Sequence, residues 1–229
     1  MKEEITHCPA CLKIDIAFSK TVKDHSTSKE EFDIWSCGTC SHIFTNPRVG
    51  EEEIGPYYDN PDYISHTDDD SSIFAKVYQF LRDINLSWKH GHVAKHAAGN
   101  TLLDYGCGTG QFLEKMASKG FQVQGVEINE GAREKASRFG SVYNSIDEVR
   151  GKVDAITMWH VLEHVYNIDG LLQGFKTKIS ENGTLIIAVP NPESHDAMHY
   201  GADWAAWDIP IHVHHFTKQS MKTAVERNG

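Results

Sequence analysis

The stretch LLDYGCGTGQFLEKMASKGFQVQGVEIN, residues 102–129, decides the fold. A short apolar run is followed by three closely spaced glycines, Gly106, Gly108 and Gly110. A segment with helical spacing comes next, and then a second apolar run that ends near Glu127. A strand, a tight turn, a helix and another strand make a βαβ unit, whose two strands are parallel. The stretch therefore predicts a doubly wound α/β fold with a mostly parallel sheet.

The alternation of apolar runs and helical segments continues along the chain. The runs SVY, VDAITM and GTLIIAV predict three more strands. Helices are predicted to begin at four positions between the runs: Gln111, Asn129, Asp147 and Asn167. A helix of about five turns is expected ahead of the sheet, from Ser72. A last helix is expected after Thr217 as its N-cap, ending at Gly229.

The glycine loop has the composition of a ligand-binding turn. Small residues before a helix let the backbone approach a ligand closely at the helix N-terminus. A dinucleotide fingerprint would place its third glycine at Gln111, so the sequence disfavours NAD. Asp104 lies in the first strand and Glu127 at the end of the second. Two acids around one glycine loop suit a ligand that carries an ammonium group and a ribose.

Four of the five cysteines form two CxxC pairs, CPAC at 8–11 and CGTC at 37–40. Four thiolates complete the tetrahedral shell that zinc prefers. A redox dithiol is the alternative, but it would need a thioredoxin-like βαβ context, which residues 1–50 lack. The predicted ligands of a structural zinc are Cys8, Cys11, Cys37 and Cys40. This zinc is expected to fold residues 1–50.

Charge and composition narrow the class of protein. The 229 residues carry a formal net charge of -10, which disfavours nucleic acid as a partner because phosphate contacts need clustered Lys and Arg. The sequence has neither an apolar run of membrane-spanning length nor a signal peptide at its charged N-terminus. A cytoplasmic protein is expected.

The stretch 102–129 resembles the first two motifs of class I S-adenosylmethionine-dependent methyltransferases. VDAITMWHVLEHV and GTLIIAVPN are similar to the segment after the fourth strand and to the fifth strand of that family. The cysteine pairs and SHIFTNPRVGEEEIGPYYDNPDY resemble the zinc-ribbon extension of a bacterial subgroup. The resemblance implies a Rossmann-like core at 99–229 without the family's last two strands. It also implies a zinc ribbon at 1–50, and a linker and helix at 51–98 that cover the cofactor site.

The resemblance also implies which residues bind S-adenosylmethionine and its product S-adenosylhomocysteine. They are Tyr58, Tyr63, Asp104, Gly106, Cys107, Gly108, Gly110, Glu127, Ile128, Ile146, Trp159 and His160. Asp104 and the glycine loop, with Cys107 as a small filler, would hold the methionine end, and Glu127 would hold the ribose. The two isoleucines would flank the adenine. Trp159 and His160 would line the methyl-donor end, and the two tyrosines would close over the pocket.

The segment WHVLEHV places His160, Glu163 and His164 at i, i+3 and i+4, which is one face of a helical turn. Quinone O-methyltransferases resemble this stretch and use acid and histidine positions there with a divalent ion. Here the first of those positions is His160. Three roles stay open for these residues: a second metal site, a catalytic or substrate-facing role with His160 as the base, and structural packing.

The segment DIPIHVHHFT, residues 208–217, resembles a D-x-P-x-H-x-x-H-F pattern of the same subgroup. Its histidines His212 and His215 are therefore predicted to be catalytic together with His160, and His214 is predicted to be filler. Three aromatic residues lie just before the segment: Tyr200, Trp204 and Trp207. They are expected either to form a lid over the acceptor or to pack in the core.

The sequence predicts an S-adenosylmethionine-dependent methyltransferase that acts on a small molecule, on a hydroxyl or carbon of a sugar, lipid or cell-envelope intermediate. The alternatives are a zinc-ribbon RNA methyltransferase and a non-catalytic, cofactor-sensing module that binds a partner protein. The resemblance leaves one sheet edge uncovered, so a homo-oligomer through that edge is also expected.

Overall fold

In the computed structural model, residues 2–58 and 73–229 are described, apart from the side chains of residues 73–78. Tyr63 and the acidic run before the first long helix lie outside the described residues. In the described part of the chain, no helix is both long and apolar enough to cross a lipid bilayer.

The strands and helices are, in chain order, β1 (Lys2–Glu3), β2 (Ile16–Lys23), β3 (Glu31–Cys37), β4 (Ile43–Thr45), β5 (Arg48–Val49), α1 (Ile73–His96), β6 (Thr101–Tyr105), α2 (Gln111–Ser118), β7 (Gln122–Val126), α3 (Glu130–Ala136), β8 (Ser141–Tyr143), β9 (Val153–Trp159), α4 (Ile168–Lys178), β10 (Ile179–Ala188), α5 (His195–Tyr200), β11 (His214–His215) and α6 (Lys218–Asn228). Short 3-10 turns connect several of them.

These elements form two compact units. Unit 1 combines Met1–His66, His160–Leu172 and Val189–Gly229. Unit 2 combines Thr67–Trp159 and Gln173–Ala188. Each unit therefore takes segments from separate parts of the sequence. The division at residues 50 and 98 that the sequence favours stays a prediction.

Unit 2 contains a parallel five-stranded sheet with the order β10-β9-β6-β7-β8. All five predicted core strands are confirmed. The order reverses at β6, since the chain places β7 on one side of it and β9 on the other. In such sheets ligands bind beyond the carboxyl ends of the strands at the reversal point. The glycine loop follows β6 directly and so lies at that point.

Most predicted helices of unit 2 begin where the sequence indicates. The helix α2 begins at Gln111 and buries Phe112, Leu113 and Met116 in the core. The side chain of Asn129 caps α3 by accepting a hydrogen bond from the amide of Ala132. The helix α1 runs for 24 residues, longer than the five turns predicted.

The helix predicted from Asp147 is wrong. Residues Ile146–Glu148 form only a 3-10 turn, which Val149 ends in an extended conformation (φ -59°, ψ 131°). Lys178 donates to the carbonyl of Val149 at 2.7 Å, which helps to hold the chain there. Only four residues separate the turn from β9, so a longer helix has no room.

Unit 1 contains a four-stranded antiparallel sheet with the order β11-β4-β3-β2. The strand β11 comes from the far end of the chain, and its residue His214 lies opposite Phe44 of β4. The helix α6 has the predicted N-cap, because Thr217 accepts a hydrogen bond from the amide of Ser220. The predicted last helix is confirmed.

The C-terminal helix is tied to the N-terminal cysteine module. Arg227 of α6 pairs with Asp169 of α4, and its Nε donates to the carbonyl of Ala10 at 3.0 Å. Asn228 donates a further hydrogen bond to Asp169 at 2.9 Å. The first and last segments of unit 1 therefore share one polar network with the segment that begins at His160.

Candidate functional site

The glycine loop of unit 2 depends on backbone conformations that favour glycine. Gly110, which precedes α2, has φ +85°, and Gly108 has φ +55°. A Cβ at Gly110 would lie 2.8 Å from the Cα of Ala136 and 2.9 Å from Phe139, whereas one at Gly108 would meet nothing within 4 Å. Gly110 is thus required by packing. The open space at Gly108 leaves room for a ligand beside the backbone.

We expect Gly110→Ala to destabilise the protein by about 2–5 kcal/mol, because the left-handed conformation and the contact with Ala136 both oppose a methyl group. Gly120→Ala is the matched control. It has φ +88° with nothing within 4 Å of the added Cβ, so it should cost only about 1–2 kcal/mol. Urea unfolding of both variants measures the difference, and equal costs would contradict the packing argument.

Asp104 is a buried acid at the end of β6. It is 3% exposed and accepts a 2.6 Å hydrogen bond from the hydroxyl of Thr157 on β9. Burial raises the pKa of this carboxyl to about 7, although Thr157 and the ammonium group of Lys89 lower it. A carboxyl in this state gains from a cationic ligand, since the cation favours its charged form.

Lys89 on α1 approaches the same part of unit 2. Its ammonium group lies over the ring of Trp159, 4.8 Å from the ring centroid. Burial lowers the pKa of Lys89, and the charge of Asp104 raises it again. Trp159 also contacts Phe112, with 5.6 Å between ring centroids, so its position is set by the core. A cation, an acid and an aromatic ring therefore lie close together beside the glycine loop.

Glu127 follows β7 and is bonded to the loop itself. One carboxylate oxygen accepts from the amide of Gly108 at 2.8 Å, and the other accepts from the amide of Asn129 at 2.8 Å. Ile128 is the next residue and is 79% exposed. Ile146 begins the 3-10 turn and packs beside Gly174 of α4. Asp104, the loop, Glu127 and Ile128 are thus brought together along one edge of the sheet.

Cys107 lies inside the glycine loop and is buried at 8% exposure. A Cβ at Gly125 of β7 would lie 2.6 Å from its sulfur, so the thiol fills the space between the loop and the sheet. Burial, and then the charges of Asp104 and Glu127, raises the pKa of Cys107 to about 12. The thiol is therefore a packing group, in line with its predicted role as a small filler.

The four N-terminal cysteines converge within unit 1. The sulfurs of Cys8 and Cys40 are 3.6 Å apart, as are those of Cys11 and Cys37, and all four lie within 4.8 Å of one another. Sulfurs on a tetrahedral zinc, with bonds of about 2.3 Å, lie about 3.8 Å apart. The four side chains therefore fit a zinc ion that closes this module.

The segment after β9 does not form the helical turn that its spacing predicts. His160 has φ +59°, and a 3-10 turn begins only at Leu162 and ends at His164. Because His160 itself has a left-handed backbone conformation, it lies outside the turn. Its Nδ1 still lies 3.6 Å from a carboxylate oxygen of Glu163. The imidazole of His160 is 63% exposed, whereas the carboxylate of Glu163 is 1% exposed.

The structure also groups Glu163 and His164 with His212 from the 208–217 segment. One potential ligand atom of each lies within 4.8 Å of the others. Both carboxylate oxygens of Glu163 are buried and have no hydrogen-bond partner among the described residues. A buried carboxylate without a partner is costly. The residues around it thus fit the divalent ion that the resemblance to quinone O-methyltransferases implies.

The histidines of the 208–217 segment are buried in unit 1. His215 is 3% exposed and packs edge-on against Trp207, with 4.8 Å between ring centroids. His214 is 1% exposed; its Nε2 donates to the carbonyl of Val165 at 3.0 Å, and its Nδ1 accepts from His42 at 3.2 Å. Burial lowers the pKa of His214 and of His215. Their packing constrains the segment, and the catalytic roles of His212 and His215 stay predictions.

The aromatic residues before this segment differ in exposure. Trp207 is 4% exposed and belongs to a core cluster of unit 1, where Trp204 packs against it. The indole of Trp207 donates to the carbonyl of Gly201 at 2.7 Å. Tyr200 is 57% exposed. The two tryptophans therefore pack, which is the second of the two roles expected for them.

Some residues of the site carry no local signal in the sequence. Lys89 lies in a helix with many polar residues, and only the fold brings it to Asp104 and Trp159. Tyr58, predicted to cover the cofactor, has its hydroxyl 3.2 Å from the Nδ1 of His164. His42 contacts His214 across 172 positions of sequence. Its place just after the second cysteine pair is the one hint that the sequence offers.

Comparisons of the sequence and of the structure with known proteins agree on one family. A family model described as "Methyltransferase domain" matches residues 78–229. A ubiquinone biosynthesis O-methyltransferase of Paraburkholderia xenovorans is 27% identical over 164 residues, which are 66% of this chain and 69% of that protein. The protein of the same name from Acinetobacter baylyi is 27% identical over 165 residues, with 66% of this chain and 68% of that protein covered.

Solved structures share the fold. A SAM dependent methyltransferase from Archaeoglobus fulgidus aligns with a TM-score of 0.54 and 22% identity, covering 65% of this chain and 68% of that chain. Magnesium protoporphyrin IX methyltransferase from Synechocystis, solved with bound SAH, aligns with a TM-score of 0.51 and 16% identity, covering 69% of this chain and 77% of that chain. The predicted Rossmann-like fold is confirmed.

Proposed function

Because the chain belongs to the methyltransferase domain family, we propose that it methylates a hydroxyl group of a small polyhydroxylated acceptor, such as a sugar, lipid or cell-envelope intermediate. The protein is a class I S-adenosylmethionine-dependent methyltransferase. Its curated relatives are named as O-methyltransferases, which supports oxygen as the acceptor atom. Carbon as the acceptor atom is less favoured, because these relatives are named for transfer to oxygen.

The pair of His160 and Glu163 carries this proposal. An exposed imidazole 3.6 Å from a buried carboxylate places a group that can act as a general base beside an acid. Glu163 lies 3.6 Å from Nδ1 of His160, which leaves Nε2 available to accept a proton. The left-handed backbone at His160 is an uncommon conformation that often marks a functional position.

The residues of unit 2 supply the methyl donor in this proposal. Asp104 would pair with the ammonium group of S-adenosylmethionine, and the backbone at Gly108 would lie against the ligand. Glu127 would exchange its bonds to Gly108 and Asn129 for the two ribose hydroxyls. Methyl transfer is an in-line displacement, so much of its rate comes from holding the acceptor oxygen and the methyl group in register.

A labelled-donor assay tests the acceptor class. Purified protein is incubated with S-adenosylmethionine labelled in its methyl group and with separate pools of sugars, lipids and phenols. Incorporation into a hydroxylated small molecule supports the proposal. Incorporation into RNA, or cofactor binding without transfer to any pool, would contradict it.

His160→Gln is expected to lower turnover by roughly 100- to 10,000-fold, which is the usual contribution of a general base. The affinity for S-adenosylmethionine, measured by calorimetry, should stay unchanged. His199→Gln on α5 removes another exposed histidine and serves as the control. Equal turnover in both variants would contradict the role of His160.

The resemblance predicts that His212 and His215 act with His160. They are tested in the same assay, where His212→Ala or His215→Ala should lower turnover without a change in cofactor affinity. Both side chains are buried, so the thermal stability of each variant must be measured beside its activity.

A further inference from the structure

Two separate segments of unit 1 converge on one buried cluster. The amide of Val213 donates to the carbonyl of Glu163 at 3.0 Å, which fixes the 208–217 segment against the turn after β9. The rings of His164 and His212 meet at 74° with 4.7 Å between centroids. A carboxylate oxygen of Glu163 and one nitrogen of each ring lie within 4.8 Å of one another.

Backbone carbonyls favour the same tautomer in both imidazoles. The Nδ1 of His164 lies 3.0 Å from the carbonyl oxygen of Ile211, and the Nδ1 of His212 lies 3.0 Å from that of Ala206. A carbonyl only accepts, so each Nδ1 carries the proton, and each Nε2 keeps its lone pair. The hydroxyl oxygen of Tyr58, 3.2 Å from the Nδ1 of His164, then accepts from the same N–H group. Histidines that bind metals usually donate their other ring N–H to a backbone carbonyl in this way.

The carboxylate of Glu163 is the third group of the cluster. Its two oxygens are buried and lack hydrogen-bond partners among residues 2–58 and 73–229. Leaving a buried carboxylate without a partner is costly, and a bound cation would remove that cost. Ionised carboxylate and neutral imidazole are the forms that bind a metal.

Further carboxylates surround the cluster. Asp208 lies 3.7 Å from the Nε2 of His212. Asp208 and Glu163 therefore place two carboxylates beside the ring of His212. Two carboxylates next to two imidazoles are a set of groups that a divalent cation can bind.

We propose that Glu163, His164 and His212 form a second metal site, which binds a divalent ion that prefers nitrogen ligands. The resemblance to quinone O-methyltransferases places the first ligand at position 160. The geometry instead leaves His160 exposed and supplies the third ligand from the 208–217 segment. The inference concerns metal binding alone and does not rest on the acceptor class proposed above.

The ligand types indicate which ions fit. Two imidazoles and one carboxylate suit zinc, iron, cobalt or nickel better than magnesium, which prefers oxygen ligands. Nitrogens at about 2.0–2.1 Å from a tetrahedral zinc lie about 3.4 Å apart, so ligand atoms within 4.8 Å need only a small contraction. A bound ion of this kind would lower the pKa of a water or hydroxyl at its open position.

Cobalt(II) is a probe that distinguishes this site from the four cysteines. The zinc-containing protein is titrated with Co²⁺, and the absorption spectrum is recorded. Cobalt bound to thiolates has intense charge-transfer bands, whereas cobalt bound to nitrogen and oxygen has only weak visible bands. We expect one equivalent of Co²⁺ to bind with weak visible bands alone, while the zinc stays at one per chain.

Four variants identify the ligands. Glu163→Gln and His212→Gln should each weaken Co²⁺ binding by more than 100-fold, and Asp208→Asn should weaken it by roughly 10- to 100-fold, as an outer-shell residue does. His160→Gln is the control and should bind Co²⁺ like the unchanged protein. Retained binding in His212→Gln together with lost binding in His160→Gln would overturn the proposed ligand set.

The unchanged protein gives a decisive result by itself. Failure to bind Co²⁺ in one-to-one ratio, or cobalt spectra with thiolate bands only, would overturn the proposal. Zinc content and melting temperature, recorded for every variant, separate loss of the second ion from loss of folding. Because the readout is metal binding, a failed methyl-transfer assay leaves this result unaffected.

Discussion

Removing the metal from the four-cysteine site is expected to abolish the cooperative folding of unit 1. Structural zinc contributes about 10–16 kcal/mol of apparent binding energy at neutral pH, which exceeds the stability of many whole domains. Without an ion, burial raises the pKa of Cys8 and Cys40, and the closely spaced sulfurs keep only weak S–H contacts. The sheet built on this module includes β4, against which β11 pairs.

Thermal unfolding followed by near-ultraviolet circular dichroism measures this effect in the presence of a strong chelator. Cys37→Ser should reproduce the loss without a chelator, because Cys37 is one of the four converging thiols. Cys107→Ser, in unit 2, is the control and should keep its zinc. A fully folded protein that contains no zinc would refute the structural role of the site.

Replacing Asp104 by Asn is expected to have opposite effects on stability and on cofactor binding. The substitution keeps an acceptor for the hydroxyl of Thr157 but removes a buried charge. The ligand-free protein should therefore melt at a higher temperature above pH 7. The affinity for S-adenosylmethionine should fall by roughly 100-fold. The ammonium group of the bound cofactor would lose its charged partner, and a buried cation without a partner costs about 3 kcal/mol or more.

The pH dependence of the unchanged protein follows from the same group. Burial raises the pKa of Asp104 from 3.8 to about 7, so the folded state holds this proton more tightly than the unfolded state. The contribution of Asp104 to the stability of the ligand-free protein is thus greatest at low pH and is lost as the pH rises from about 4 to 7. Cofactor affinity should change in the opposite direction and increase up to about pH 7.

Calorimetric titrations between pH 5.5 and 8.5 compare the two proteins. Asp104→Asn should bind the cofactor with little dependence on pH, and Glu134→Gln, an exposed acid on α3, should behave like the unchanged protein. A pH-independent affinity in the unchanged protein would show that the carboxylate of Asp104 is not the group that meets the cofactor.

The parallel sheet could be predicted from the sequence because its signals are local. Each strand is a short apolar run, and the cap residues Asn129 and Thr217 make the hydrogen bonds that their residue types favour. The four cysteines converge as predicted, since each CxxC turn aims its two thiols at one point. These features depend on neighbours in the sequence.

Other features depend on residues that are far apart in the sequence. The spacing of His160, Glu163 and His164 predicts one helical face, but the left-handed backbone at His160 breaks that periodicity. The partner of Glu163 and His164 is His212, about fifty positions later. Likewise, Lys89 reaches Asp104 only because α1 packs in unit 2. Local periodicity contains no information about such contacts.

The three-segment construction of unit 1 has a consequence for how the protein is made. A ribosome releases the cysteine module long before it synthesises the strand that pairs with β4, and His42 must wait for His214. Until then the edge of β4 and the apolar residues of the module are exposed, as in partly synthesised chains that aggregate. Early capture of zinc would let the nascent module persist until the last segment arrives, which makes metal supply a determinant of the yield of folded protein.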